Sequence, residues 1–299
     1  MKRSEREIPK SWVPDRTVWL NVGVPMSLLG LGTFRLRGDE TVRLSLEAAL
    51  ENGYRLVDTA TVYGNEAAIG SALNTLLPRH GLSRADIFLT SKLSPKDHGK
   101  EQAEAACLRS LKELGCDYLD LYLVHWPGTQ GWPQDDAGNR ERRLRSWRAL
   151  EKLHDGRKLR AIGVSNYTIR HLEELLAECR VRPSVLQVEF HPELAQSALL
   201  SFCRREGIHL QAYSSLGAGH LVDRPEVAKV AMCHGRQPSQ VLLRWALQQG
   251  VSVIPKSASP SRVAENAQLW TWELSQADME ELNAMDCGKH YCWDPSGVA

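Results

Sequence analysis

Short apolar runs alternate along the chain with longer segments whose apolar residues recur at helical spacing. Eight runs are candidate strands: residues 28–33, 55–60, 87–92, 118–126, 159–166, 184–190, 208–215 and 251–257. Among the segments between them, residues 39–53, 99–115 and 192–207 are predicted helices, and each closes on a glycine, which commonly ends a helix. Eight strand–helix units in 299 residues predict an α/β fold, a single (β/α)₈ TIM barrel.

A doubly wound parallel sheet is the alternative with the same alternation. Its first strand would lead into a G-x-G-x-x-G turn, and "GLGTF" (30–34) has only two of those glycines. Upstream, the apolar stretch 18–29 is interrupted at Asn21 and Gly23, which predicts a β-hairpin at the bottom of the barrel. We therefore expect residues 17–299 to form one barrel domain, preceded by a loosely ordered extension, residues 1–16.

Composition narrows the class of protein. The chain is 42% hydrophobic and 24% charged, as soluble globular proteins are. Its net charge of +1 gives no electrostatic reason to expect nucleic acid or a membrane surface as partner. The seven cysteines have neither disulfide-framework nor metal-ligand spacing, and the N-terminus lacks a signal-peptide core. We expect a cytoplasmic protein with reduced thiols and no metal. Nothing resembles an oligomer helix seam, so we expect a monomer.

Polar residues end most of the predicted strands. They are Thr33, Asp58, Lys92, His125, Ser165, Asn166, Gln187, Tyr213, Ser214, Lys256 and Ser257. Most of these residue types are costly to bury without partners. Because the chemistry of a (β/α)₈ barrel collects at the carboxyl ends of its strands, this repeated placement predicts an active site there.

Four residues near these strand ends form a candidate proton-transfer group: Asp58, Tyr63, Lys92 and His125. A free tyrosine has a pKa of about 10 and is a poor acid at neutral pH. A neighbouring ammonium lowers that pKa, and a buried carboxylate keeps the ammonium charged. Taken singly, each residue has an ordinary interpretation as an ion pair, a cap or a packing residue. Their conjunction on successive strands favours proton donation to a developing alkoxide.

Seven motifs in order carry a resemblance to a known family. They are "DTATVYGNE" (58–66), "TSKL" (90–93), "LVHWP" (123–127), "GVSNY" (163–167), "QVEFHP" (187–192), "AYSSLG" (212–217) and "IPKS" (254–257), the last followed by an arginine and "EN". On these motifs the chain resembles the aldo-keto reductases from about Trp19 to its end. The resemblance implies a catalytic tetrad of Asp58, Tyr63, Lys92 and His125, with Tyr63 as general acid. Relatives that reduce carbon–carbon double bonds replace the histidine. Its presence here favours the reduction of aldehydes or ketones.

A proton donor of this kind needs a hydride source, which implies a nicotinamide cofactor. Ser165, Asn166 and Gln187 suit the carboxamide of the ring, and Tyr213 offers a flat face for stacking. Capping of strand ends is the ordinary alternative for any single one of them. The resemblance places these four around the ring, and we add Gly32, Thr33 and Asp58 to the cofactor set.

The strand-to-helix turn after residue 255 predicts the form of the cofactor. Lys256, Ser257 and Arg262 combine two cations and a hydroxyl beside a helix start, which is typical of an anion site. The 2′-phosphate of NADPH is the natural occupant, so we expect NADPH rather than NADH. We assign Glu265 and Asn266 to the adenine, and Ser214, Leu216 and Gly217 to the pyrophosphate path.

Aromatic residues are candidates for the substrate wall. The predicted substrate-binding residues are Phe34, Tyr63, His125, Trp126, Trp132 and Trp293, with core packing as the alternative for the tryptophans. Two other functions stay open at this point. One is a non-catalytic NADPH-binding barrel that serves as a sensor or structural subunit. The other is a lyase with Lys92 as Schiff-base nucleophile, in which the nicotinamide residues would have no purpose.

Overall fold

A computed structural model of the protein describes residues 13–299. Residues 1–12 of the expected extension lie outside the described residues. In the rest of that extension, Pro14–Arg16 forms a short 3₁₀ turn that leads into the first strand.

Eight parallel strands form the central sheet. They are β3 (Leu31–Gly32), β4 (Leu56–Asp58), β5 (Phe88–Leu93), β6 (Leu119–Val124), β7 (Leu159–Ser165), β8 (Val185–Glu189), β9 (His209–Tyr213) and β10 (Ser252–Val253). They pair in chain order from β3 to β10. A parallel bridge between Leu29 and Val253 joins the two edges. The predicted (β/α)₈ barrel is confirmed.

Helices follow the strands on the outside of the barrel. They are α1 (Asp39–Glu51), α2 (Glu66–Arg79), α3 (Lys100–Glu113), α4 (Gly138–Asp155), α5 (Ile169–Glu178), α6 (Ser197–Glu206), α7 (Pro225–His234), α8 (Pro238–Gln248), α9 (Pro260–Asn266) and α10 (Gln276–Asn283). Their apolar faces pack on the outward-facing residues of the strands in one large buried cluster.

The predicted hairpin is present as the antiparallel pair β1 (Thr17–Trp19) and β2 (Pro25–Ser27). Leu20, Val24 and Met26 from this hairpin belong to the cluster that fills the barrel interior. That cluster includes Leu56 and Phe88, which begin β4 and β5, so the hairpin closes the amino-terminal end of the barrel. The carboxyl-terminal end of the barrel is not covered by the hairpin, and this is the end where active sites of such barrels lie.

The predicted helix 192–207 begins five residues late, at Ser197. Residues His191 and Leu194 are bridged across a tight turn, and Gln196 adopts a left-handed conformation with φ of 43°. A non-glycine residue in that conformation does not continue an α-helix. The turn leaves Glu189 at the end of β8 open to partners from elsewhere in the chain.

Closure of the barrel constrains Gly32, which we had assigned to the cofactor. A Cβ atom at this position would lie 2.5 Å from the carbonyl oxygen of Ile254, closer than real contacts allow. The amide of Gly32 donates to the carbonyl of Pro255 across the same seam. Glycine is therefore required here by the approach of β3 to the β10 edge, whatever else it contacts.

Within residues 13–299, no helix combines the length and the apolar character that crossing a membrane requires.

Buried His98 should make the free energy of unfolding depend on pH. Its ring nitrogens lie 3.0 Å from the Ser146 hydroxyl and the Trp126 carbonyl, and burial lowers its pKa to about 4. An unfolded histidine has a pKa of about 6.5, so between those values only the unfolded chain takes up the proton. The stabilising contribution is complete above about pH 6.5 and is lost as the pH falls to about 4.

We expect His98→Asn to flatten the dependence of unfolding free energy on pH by up to about 1.4 kcal/mol per pH unit in that interval. Urea unfolding of both proteins at several pH values measures the difference between the slopes. Equal slopes would show that native His98 is protonated as readily as the unfolded residue.

Candidate active site

The four tetrad candidates come from three adjacent strands and the loop after the first of them. Asp58 ends β4, Lys92 lies near the end of β5, and His125 directly follows β6. Tyr63 ends a 3₁₀ turn, Thr61–Tyr63, that folds back over the end of β4. Because the strands are parallel neighbours, these side chains meet at the open mouth of the barrel.

Lys92 is the centre of the group and is completely enclosed. Its Nζ donates to Asp58 Oδ1 at 2.5 Å, to the carbonyl of Thr59 at 2.9 Å and to the Tyr63 hydroxyl at 3.3 Å. An ammonium has three donors, so this geometry satisfies all of them. Burial lowers the pKa of Lys92, but Asp58 and Tyr63 together raise it by more than burial lowers it. The pKa of Lys92 is therefore above its ordinary value. Lys92 is therefore charged at neutral pH.

Tyr63 departs from the expectation of a lowered pKa. Burial raises the pKa of Tyr63, the Lys92 ammonium lowers it, and burial is the larger effect. The expected net direction was wrong, because desolvation of a phenolate outweighs one nearby charge. Tyr63 is consequently protonated throughout the neutral range.

His125 lies beside Tyr63, with 5.9 Å between the ring centroids. Burial, followed by the charge of Lys92, holds the pKa of His125 well below its ordinary value. The ring is neutral at neutral pH, and one of its nitrogens is a hydrogen-bond donor. Its Nδ1 has no partner among residues 13–299.

Hydrogen bonds hold the tyrosine turn against β5 and β3. Asn65 accepts from the Thr59 hydroxyl at 2.7 Å and donates to the Thr33 carbonyl at 2.9 Å. The Thr61 hydroxyl donates to the carbonyl of Lys92 at 3.1 Å. Sequence reasoning assigned no role to Thr59, Thr61 or Asn65, although all three lie inside the quoted tyrosine motif.

Gln187 continues the hydrogen bonding across the barrel interior. Its Nε2 donates to Asp58 Oδ2 and to Gln211 Oε1, both at 2.8 Å. Gln211 was not predicted. The available signal was its position two residues before Tyr213 on β9, where strand alternation makes both face the same side.

The next strand ends, β7 and β9, bring Ser165, Asn166 and Tyr213 together. Asn166 donates to the carbonyl of His125 at 2.9 Å and to the Ser165 hydroxyl at 3.1 Å. It accepts from the Tyr213 hydroxyl at 2.7 Å. These three cofactor candidates therefore lie next to the tetrad, as expected for a nicotinamide site.

The remaining cofactor candidates lie farther along the mouth. Ser214, Leu216 and Gly217 follow β9, and Ser214 and Gly217 have left-handed backbones. Lys256, Ser257, Arg262, Glu265 and Asn266 lie after β10 and on α9. Thr33 donates to the carbonyl of Asp58 at 2.9 Å.

Lys256 and Arg262 fit an anionic ligand. Both are exposed, and neither forms an ion pair with any residue in the described range. Ser257 and Ser259 bond to each other in the turn between them. Two cations without acidic partners suit the 2′-phosphate of NADP, and the neighbouring polar strand ends suit the nicotinamide.

Aromatic side chains rim the mouth. Phe34 is 52% exposed, and its ring centroid lies 5.1 Å from that of Tyr63. Trp126 and Trp293 meet edge to face, with 4.6 Å between their ring centroids. Trp132 joins Trp126 and Trp293 around a cavity of about 410 Å³. Phe34, Trp132 and Trp293 are exposed and Trp126 is half-buried, so none of the four is fully packed in the core.

Trp293 is positioned by contacts that the sequence did not reveal. Glu189, at the end of β8, accepts from the backbone amides of Tyr291 and Cys292 at 2.8 and 3.1 Å. The Tyr291 hydroxyl donates to Glu193 at 2.7 Å. These bonds fasten the C-terminal segment, residues 286–299, beside the mouth.

Among the described residues there is no cluster of histidine, cysteine and carboxylate side chains arranged to hold a metal ion.

Known proteins match the chain in sequence and in fold. The model of the Aldo/keto reductase family matches residues 28–286. Glyoxal reductase of Bacillus subtilis (strain 168) is 43% identical over 270 residues, which are 90% of this chain and 92% of that protein. An aldo-keto reductase enzyme from a Medee basin deep-sea metagenome library has a TM-score of 0.86 and 35% identity, over 94% of this chain and 99% of its own. Bombyx mori aldo-keto reductase, solved in complex with NADP, has a TM-score of 0.85 and 29% identity, over 92% and 94%.

The enclosed ion pair predicts a difference in stability between two variants. Lys92→Met leaves the buried Asp58 carboxylate without its cation, which should lower the unfolding free energy by about 3–5 kcal/mol. Tyr63→Phe keeps the ion pair and removes only one acceptor of the ammonium, so it should cost less, about 1–3 kcal/mol. Urea unfolding at neutral pH measures both.

A double variant, Asp58→Asn with Lys92→Met, removes both charges and should regain part of the lost stability, since the cost arises from the unpaired charge. If the double variant is no more stable than Lys92→Met alone, the uncompensated carboxylate is not the cause of the loss.

Proposed function

The chain belongs to the aldo/keto reductase family, and on that premise we propose that Tyr63 is the proton donor in its NADP-dependent reduction of carbonyl compounds. The observation that carries the proposal is the contact of the Tyr63 hydroxyl, 3.3 Å from an ammonium that Asp58 holds at 2.5 Å. The products would be primary or secondary alcohols from aldehydes or ketones.

Bound NADPH supplies the hydride for the carbonyl carbon. Tyr63 gives its hydroxyl proton to the carbonyl oxygen, so one O–H bond breaks and another forms while the charge moves to the phenolate. Lys92 lies where that charge appears, and its position is fixed beforehand by Asp58 and the Thr59 carbonyl. Preorganised charge of this kind stabilises a transition state without reorganisation during the reaction.

The raised pKa of Tyr63 supports this direction of proton transfer. A donor must carry its proton when the substrate arrives, and a phenol whose pKa lies above its ordinary value does so at neutral pH. An alkoxide is a far stronger base than an ordinary phenolate, because an alcohol ionises about as reluctantly as water. The developing alkoxide would therefore take the proton from Tyr63.

His125 would orient the carbonyl oxygen. As a neutral ring beside Tyr63 it can donate one hydrogen bond without adding a second positive charge next to Lys92. Asn166 holds the His125 backbone through the carbonyl oxygen. His125 would thus position the substrate, while Tyr63 supplies the proton.

We assign the two ends of the cofactor to different parts of the mouth. Lys256 and Arg262, exposed and without acidic partners in the described range, would bind the 2′-phosphate. Ser165, Asn166 and Gln187 would hold the carboxamide of the nicotinamide, with Tyr213 stacked on the ring. Gly32, Thr33, Asp58, Ser214, Leu216, Gly217, Ser257, Glu265 and Asn266 complete the proposed cofactor set.

The substrate would enter between the aromatic side chains of the rim. Phe34, Trp126, Trp132 and Trp293 offer an apolar wall that is open to solvent on one side. Such a wall selects weakly among apolar carbonyl compounds. Since a relative from Bacillus subtilis is named glyoxal reductase, small dicarbonyl compounds are among the substrates to be assayed with NADPH.

A Schiff-base role for Lys92 is disfavoured by its surroundings. A nucleophilic lysine must be a neutral amine with access to the substrate. Lys92 is enclosed, its pKa is raised, and its three donors are engaged. No contact in the described range favours a non-catalytic role over turnover.

Replacing Tyr63 by Phe removes the hydroxyl and keeps the ring. Because general acid catalysis contributes about 10²–10⁴-fold, we expect kcat for aldehyde reduction to fall by that factor. NADPH binding, measured by the quenching of tryptophan fluorescence, should be unchanged. A Tyr63→Phe protein that binds NADPH and reduces aldehydes at the parent rate would rule out Tyr63 as donor.

Arg262→Ala should weaken NADPH binding about ten- to a hundred-fold, since a hydrogen bond to a charged group is lost. NADH has no 2′-phosphate, so its affinity should hardly change. Arg145→Ala, at an exposed arginine on α4 whose partner is Glu141, is the matched control. Dissociation constants for both cofactors decide the matter, and equal losses for NADPH and NADH would refute the phosphate assignment.

A further inference from the structure

A continuous row of hydrogen bonds crosses the interior of the barrel below its mouth. It runs from Lys92 to Asp58, from Asp58 to Gln187 and from Gln187 to Gln211. All four residues are at most 2% exposed. The row joins the residue that holds the proton donor to a residue assigned to the cofactor.

The charge of Asp58 fixes the direction of every bond in this row. An ionised carboxylate only accepts hydrogen bonds, so the Gln187 atom that faces Asp58 Oδ2 must be the amide nitrogen. The second N–H of that nitrogen points to Gln211, so the Gln211 atom that faces it must be the oxygen. The opposite orientation of either amide would set two acceptors against each other.

One polar atom of Gln187 then remains, its Oε1. It accepts no hydrogen bond from residues 13–299, and it is not completely enclosed. It is therefore accessible to a ligand. An oxygen can only accept. From a nicotinamide carboxamide it can bind the NH₂ group and not the carbonyl.

We propose that Gln211 is a positioning residue for the cofactor. By accepting the second N–H of Gln187, Gln211 prevents the amide from pivoting about its bond to Asp58, and so presents Oε1 to the carboxamide NH₂. This inference rests on the proposed contact between Gln187 and the nicotinamide. Gln211 lies beside Gln187, as its register partner on the neighbouring strand, and is completely buried, so it would not itself touch the ligand.

The cost of Gln211 to the interior supports a role beyond packing. Its Nε2 is enclosed and has no partner in the described part of the chain. A buried donor without an acceptor is unfavourable, and an apolar side chain of the same shape would avoid that penalty. Gln211→Met removes this unpaired donor but also takes the acceptor away from the second N–H of Gln187, so the two effects oppose each other and the unfolding free energy should stay close to that of the parent protein.

A cofactor analogue separates this role from general effects on binding. The 3-acetylpyridine analogue of NADP⁺ has a methyl group where the carboxamide has NH₂, and is otherwise the same ligand. Dissociation constants for NADP⁺ and the analogue follow from quenching of tryptophan fluorescence, without turnover. We expect the parent protein to prefer NADP⁺ about three- to ten-fold, the usual net worth of one hydrogen bond.

In Gln211→Met we expect this preference to fall to within about two-fold, with an unfolding free energy close to that of the parent protein. Gln211→Glu keeps an acceptor oxygen and should retain most of the preference. Thr90→Val is the matched control, because Thr90 is also buried, faces the same interior and has a hydroxyl without a partner among the described residues. Its preference should equal that of the parent protein.

The outcomes separate this inference from the proposed function. If Gln187→Met abolishes the preference and Gln211→Met keeps it, Gln187 holds the carboxamide without Gln211, and the inference is overturned. If the parent protein shows no preference, or Gln187→Met keeps it, the proposed carboxamide contact fails and the inference with it. Tyr63→Phe, tested separately by turnover, is unaffected by either result.

Discussion

The enclosed ammonium of Lys92 constrains everything around it. An ion removed from water is tolerated only where its charge is balanced and each of its donors is accepted. Asp58 supplies the balancing charge, and the Thr59 carbonyl and the Tyr63 hydroxyl supply the other two acceptors. The turn that follows β4 must therefore fold back over β5, which is what brings the phenol to the mouth.

Burial has opposite uses at the two ends of the cofactor site. Around Lys92, exclusion of water keeps His125 neutral and Tyr63 protonated, and it strengthens the attraction between the single cation and any charge that develops on the phenol. Around Lys256 and Arg262 the side chains are exposed, so their charges are screened and the proposed contact with the 2′-phosphate would be reversible. Strong electrostatic interactions thus coincide with the proposed chemistry, and weak ones with the proposed phosphate site.

Hydrophobic alternation predicted the barrel and the hairpin, because both follow from local periodicity. The proximity of the four tetrad candidates could be predicted, because three of them stand at corresponding strand ends and Tyr63 follows in the adjoining turn. Gln211 was missed for a physical reason, since the role of an inward-facing amide depends on a partner from another strand. The direction of the shift in the pKa of Tyr63 was predicted wrongly, because the extent of burial is not visible in the sequence. Contacts of Glu189 with residues 291–292 are non-local in the same way.

The row of hydrogen bonds also bears on the order in which the molecule is built. Asp58 and Lys92 are 34 positions apart, whereas Asp58 and Gln187 are 129 positions apart. Closing the longer loop costs only about 1 kcal/mol more in chain entropy, but it cannot happen until β8 has been synthesised. A nascent chain that ends before β8 therefore carries a half-paired carboxylate. The row can be complete once Gln211 on β9 has been synthesised, whereas the barrel can close only later, when Val253 on β10 is available to Leu29.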